Sequence, residues 1–219
     1  MCIITERKNL CYVLSMEPAG LLEQGLVFFG VPFDGSIIHD LCFYVTELER
    51  WNRRMNLVGL KDAPSIVQKL IYDALLLYGY VKESPSVLDL GSGSGILGIP
   101  LAILNRERRV FSVDKSLRKI QFQNHIRRTL GLHGFSPLHG RIESLEPMEV
   151  ESLVVKAFGS IAHILEKGGR HVRKGGRAFI LKGPKEKAIE HEEFVMTDDV
   201  SYVLPSGTNP YRLLVYRKK

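Results

Sequence analysis

The stretch VLDLGSGSGILGIP, residues 87–100, constrains the fold more than any other part of the chain. A short apolar run ends in an acid, Asp89, and meets glycines at 91, 93, 95 and 98 before the chain turns apolar again. A buried strand that breaks into a glycine loop and resumes as a helix is the first unit of a parallel sheet covered by helices. Ligands of such sheets bind where strands end and helices begin, so this loop is also the first place to look for a site.

The pattern downstream repeats the unit. SVLDL, RVFSVD, FSPLHG, LVVKAF and RAFILKG read as strands, and GILGIPLAIL and SLRKIQFQNHIRRTLG as helices, the second closed by Gly131. IAHILEKGGRHVRK reads as a helix before the last of these strands, and SYVLPSGTNPYRLLVYRKK as a hairpin turning at Ser206 to Pro210. Upstream, Ser36 reads as an N-cap for SIIHDLCFYVTELERWN, whose apolar positions from Ile37 to Trp51 follow helical spacing. Trp51 reads as a core anchor of that helix. GLVFFGVPFDG is turn-rich, and a second apolar helix, SIVQKLIYDALLLYGY, follows Pro64. The expected organisation is a helical region over 1–60 and an α/β domain over 61–219, without internal repeats.

Two ligand classes use a glycine loop of this kind. Gly93, Gly95 and Gly98 satisfy the GxGxxG dinucleotide fingerprint, and Asp114, ending the second strand, is placed to accept hydrogen bonds from ribose hydroxyls. Asp89 separates the two classes. A pyrophosphate beside it would meet a like charge in a partly desolvated place, whereas S-adenosylmethionine brings a sulfonium and an ammonium, both cationic. The acid followed by GxGxG therefore points to a Rossmann-like class I methyltransferase fold, with a mostly parallel seven-stranded sheet and S-adenosylmethionine as cofactor. On these residues Asp89, Gly91, Gly93, Gly95 and Asp114 are cofactor-binding candidates, and a nicotinamide oxidoreductase is the competing reading.

Charge says something about the partner. Arg106 to Lys187 holds 18 Lys and Arg against 8 Asp and Glu, a balance of +10, while the rest holds 12 against 16, or −4. Segregated positive charge suits a polyanion, since each neutralised phosphate releases a counterion. Clusters such as Arg106, Arg108 and Arg109 are equally readable as solvated faces. The three cysteines, Cys2, Cys11 and Cys42, are odd in number, lack metal-ligand spacing and read as reduced thiols of a cytoplasmic protein. The seven histidines show no metal spacing, and no apolar run is long enough to span a membrane.

Taken in order, WNRRMNLVGL, the helix carrying Asp73, VLDLGSGSGILGIPLAI, SVDKSLRKIQF, HGRIESL, VVKAF and ILKG resemble the bacterial 16S rRNA guanine-N7 methyltransferases, the glucose-inhibited division protein B family. The resemblance runs from about residue 36 to 185. It implies methylation of N7 of one guanine in a hairpin loop near the ribosomal decoding region, with 16S rRNA or the small ribosomal subunit as partner. It also implies cofactor contacts from Gly91, Ile96, Ile142, Glu143 and Lys156, and places Asn56, Arg141 and Lys182 at the active-site cleft with Lys156. The chain departs from the family pattern twice. Lys156 stands where an arginine is usual, which keeps the charge but loses the bidentate fork. Leu70 and Ala74 replace the histidine and serine of a His-x-x-Asp-Ser-Leu helix. A methyltransferase for a small molecule or protein, and an RNA-binding member without activity, therefore stay open beside the rRNA enzyme.

Overall fold

The computed structural model describes residues 16–205 and 207–219. Helices α1 (Met16–Phe28) and α2 (Gly35–Met55) come first among the described residues. A continuous helical segment follows: α3 (Ala63–Ile66), a π turn (Val67–Ile71) and α4 (Tyr72–Val81). Then come β1 (Ser86–Leu90), α5 (Gly98–Leu104), β2 (Arg109–Asp114), α6 (Leu117–Leu130), β3 (Phe135–His139), β4 (Val150–Lys156) and α7 (Ile161–Lys167). Strands β5 (Val172–Lys182), β6 (Phe194–Val203) and β7 (Pro210–Lys218) finish it.

The seven strands form one sheet in the order β3-β2-β1-β4-β5-β7-β6, parallel through β5, with β7 antiparallel between β5 and β6. Strand order reverses between β1 and β4, so the loops after these two strands open a crevice at their carboxyl ends. All five residues of β1 are buried, as a central parallel strand covered on both faces must be. The helical region is continuous with this core. Leu22, Leu41, Leu48 and Ile66 share one apolar cluster with Ile99, Phe122 and Phe135.

Four local readings are corrected. Asp34 rather than Ser36 caps α2, its carboxylate accepting from the amides of Ser36 at 2.9 Å and Ile37 at 3.1 Å. The carboxylate one position outside the helix reaches the free amides better than the shorter hydroxyl within it. The first half of GLVFFGVPFDG completes α1, and the chain leaves that helix through Gly30, at φ 62°. IAHILEKGGRHVRK is split: the helix stops at Lys167, a 3-10 turn spans Gly169–His171, and Val172 opens β5. A Cβ on Gly168 would lie 2.8 Å from Leu90 and 2.9 Å from the Ile164 carbonyl, so the chain turns there, tight against the sheet. Arg108, counted among the surface bases, is 1% exposed. Its guanidinium donates to the carbonyls of Ser84, Val81, Lys82 and Leu101, stapling the end of α4 and the chain before β1 to α5. Cys2 and Cys11 lie outside the described residues.

Candidate active site

The glycine loop is held in shape by groups buried beneath it. Gly91, Gly93 and Gly95 take φ values of 67°, 60° and 80°. At Gly91 the need is twofold, because a Cβ would also sit 2.3 Å from the Phe158 ring. The amides of Gly91 and Ser92 donate to the Val113 carbonyl at 3.0 and 3.1 Å. Asp114 accepts from Gly93 N at 2.9 Å and from Ser116 N at 2.8 Å, so the acid ending β2 fixes both the loop and the start of α6. From α6, Gln123 donates to Ser92 Oγ and to the Gly93 carbonyl at 2.9 and 2.7 Å. From α2, Tyr44 donates to the Ser94 carbonyl at 3.2 Å.

Asp89 lies beneath this loop, 1% exposed, accepting from Gly98 N at 2.8 Å. Burial pushes its carboxyl up to about 7, the Gly98 amide pulls it back, and the neighbouring Asp114 adds to the rise. Among the described residues, no basic side chain forms an ion pair with Asp89 or Asp114. Two carboxylates around one loop, neither matched, make a setting that a cation relieves and a phosphate aggravates.

Two cavities meet at Gly91, Lys119 and Ala157. The larger, about 510 Å³, is bounded by Asp114, Arg141, Ile142, Glu143 and Phe158. The smaller, about 220 Å³, has Asp89 and Lys156 among walls of Leu57, Val58, Leu70 and Ile96. Most of the sequence-derived candidates thus fall on one of the two. Gly93 belongs to the smaller, while Gly95 lines neither and turns the loop from behind. Asn56 is exposed at the C-terminus of α2 with φ 49°, one residue before the wall residue Leu57, and it lines neither cavity.

The two lysines are already engaged. Lys156 Nζ pairs with Asp73 at 2.5 Å and donates to the Lys69 carbonyl, within the π turn, at 2.8 Å. Asp73 also accepts from Tyr202 at 2.8 Å. Burial first, and Asp73 next, hold the Tyr202 phenol far above its ordinary pKa, so it stays protonated as a donor. Lys182 donates to the Gly159 carbonyl at 2.6 Å and lies 3.6 Å from Glu186, bracing the turn after β4 where Ala157 and Gly159 have positive φ.

Sequence reasoning missed Gln123, Tyr44, Lys119, Phe158, His171 and Tyr202. Gln123 left a signal, a lone amide between Ile120 and Ile126 on the buried face of its helix. His171, fully buried, approaches the Ile142 carbonyl with Nε2 at 3.2 Å, and burial holds its imidazole below its usual pKa. Neutral and donating through Nε2, it supports the wall of the larger cavity.

A family model, rRNA small subunit methyltransferase G (GidB), matches residues 37–209. The chain belongs to that family. Among curated small subunit methyltransferase G proteins, one from Geobacter sp. (strain M21) is 33% identical over 89% of this chain and 94% of its own. Another, from Syntrophotalea carbinolica, is 31% identical over 90% and 97%. The fold also matches a crystal structure of a methyltransferase from Geobacter sulfurreducens, at TM-score 0.56 and 18% identity over 90% of this chain and 96% of that one. A SAM-dependent methyltransferase from Aquifex aeolicus matches at TM-score 0.53 and 16% identity, covering 70% and 93%. As in other class I methyltransferase folds, the cofactor of a methyltransferase G protein is S-adenosylmethionine. The loop here fits it, offering close backbone approach at Gly91, unmatched carboxylates at Asp89 and Asp114, and a cavity of suitable size beside them.

Proposed function

We propose that this chain methylates N7 of a guanine in 16S rRNA, in the cytoplasm, using S-adenosylmethionine. The relatives' names point to small-subunit rRNA, and the guanine N7 target follows from the family resemblance. The observation that carries the reading is the pair of joined cavities. The larger runs from Gly91 past Asp114, Ile142 and Glu143, while the smaller sets Asp89 and the glycine loop beside apolar walls that suit the faces of a purine.

When bound, S-adenosylmethionine supplies an electrophilic methyl group. Guanine N7 presents a lone pair and no proton, so the protein needs no general base and its task is alignment. Leu57, Val58, Leu70 and Ile96 exclude water and sandwich the base. Asp89 and Asp114 hold the glycine loop and favour a cationic ligand beside it. Positive charge grows on the purine as the methyl transfers, and an unmatched ammonium against the ring would oppose it. Lys156, its charge already met by Asp73, shapes the wall without that penalty. Arg141, exposed at the rim of the larger cavity, is free to meet an RNA phosphate.

The test is transfer of labelled methyl from S-adenosylmethionine to small ribosomal subunits lacking the modification, with naked rRNA alongside. Label on one guanine, mapped by N7-specific strand scission and absent with Asp89→Ala, is the expected result. Tight cofactor binding with no label on either RNA would overturn the reading in favour of another substrate.

A further inference from the structure

We propose that Lys119 binds the carboxylate of the cofactor's amino-acid end, opposite Asp89, which takes its ammonium. The inference rests on the methyltransferase reading and assigns a residue that the sequence motifs passed over. Lys119 lies in the first turn of α6 and, with Gly91 and Ala157, borders both cavities. Its ammonium stands 3.8 Å from where a Gly93 Cβ would be, directly over the glycine loop. Lys156 and Lys182, the lysines that the motifs single out, hold acceptors inside the protein. Among the described residues no carboxylate pairs with Lys119. It is therefore a partly buried cation, without an internal partner among the described residues, at the junction of the two spaces.

The sign of its neighbours decides what it takes. Asp89 lines the smaller cavity with Lys119, and Asp114 lines the larger with it. A bare anion entering beside these two acids gains one attraction and meets two repulsions. A zwitterion is different, because its own ammonium satisfies an acid while its carboxylate reaches the lysine. The amino-acid end of S-adenosylmethionine is such a zwitterion. Backbone phosphate of RNA, carrying no cation of its own, is less suited to this position and better served by Arg141 at the rim.

The test uses the full chain with two probes, S-adenosylhomocysteine and 5′-methylthioadenosine, which lacks the amino-acid end, titrated calorimetrically against wild type, Lys119→Gln and Lys119→Arg. A charge-assisted hydrogen bond lost to a neutral amide predicts that Lys119→Gln weakens S-adenosylhomocysteine by about tenfold or more. Methylthioadenosine should bind within about twofold of wild type, and Lys119→Arg should recover part of the loss. Equal weakening of both probes would overturn the proposal, marking a disturbed helix instead. Unchanged S-adenosylhomocysteine affinity would also overturn it. If the salt slope of rRNA binding then fell by about one unit, the ammonium would belong to a phosphate. Should wild type bind S-adenosylhomocysteine but transfer no methyl to rRNA, the substrate reading alone would fail. Should it bind neither probe, both readings would fall together.

Discussion

The loops after β1 and β4 face each other across the crevice and are held by opposite means. The loop after β1 is fixed by short groups at close range: Asp89 on Gly98, Asp114 on Gly93, Gln123 on Ser92 and Gly93. The loop after β4 is fixed by long cationic side chains reaching far along the chain, Lys156 to Asp73 and to the Lys69 carbonyl, Lys182 to the Gly159 carbonyl. The first is a rigid cradle with little room to change. The second is a wall whose position depends on a few distant contacts, and it can be adjusted one contact at a time.

The largest effect should come from Gly91→Ala, where a positive φ and the Phe158 ring act together. A loss of about 3 kcal/mol in stability, with cofactor binding abolished, is expected from strain plus overpacking. A denaturant titration showing less than 1 kcal/mol would mean that the cradle yields more than its geometry implies.

Asp89→Asn comes next and separates binding from stability. Asp89's folded pKa of about 7 lies above its ordinary 3.8, so its favourable contribution is complete at low pH and is lost as pH rises through about 7. The ligand-free wild type should therefore weaken as pH rises from about 4 to about 7 and level off above it, and the variant should be the more stable at pH 8 by about 2 kcal/mol. Cofactor affinity should fall at least tenfold in the same protein. Parallel pH profiles for wild type and variant would remove Asp89 as the titrating group.

On the opposite wall, Asp73→Asn leaves a quarter-exposed lysine without its counter-charge, for an expected loss of about 1.5 kcal/mol. Paired with Lys156→Met in a double-mutant cycle, it should give a coupling of about 1 kcal/mol, and additive losses would show that the pair does not hold the wall. Lys182→Met keeps the aliphatic stem and removes one donor from Gly159, so about 1 kcal/mol is expected. Amide exchange should quicken at Phe158 and Gly159 and stay unchanged at Gly91. Equal quickening at both would erase the distinction between the two loops.

The same contrast explains what could be read from the chain. Asp89, Gly91, Gly93 and Asp114 were legible because the cradle's geometry is local: positive φ demands glycine, and the acids stand at strand ends that periodicity locates. Tyr202 was not, because it reaches Asp73 across 129 positions and sits on an edge strand where a tyrosine is ordinary. Lys156 was found through family resemblance, yet its partner on the π turn side could not be, since spacing alone does not reveal a π turn. Arg108 was misplaced for a related reason. A base in a run of bases reads as surface, and only the folded chain shows four carbonyls gathered around it.

The π turn at Val67–Ile71 bears on how this wall could change length. A π turn closes on the fifth residue rather than the fourth, so it takes up one additional residue within a single turn while the helix on either side keeps its facing. Removing one residue there should restore a regular helix with Ile66 still in the core and Asp73 still toward Lys156. Only the carbonyl under the lysine would move. A chain one residue shorter at this point could therefore keep the ion pair intact while reshaping the floor next to Leu70, which makes the turn a place where the smaller cavity can be retailored without disturbing what holds it.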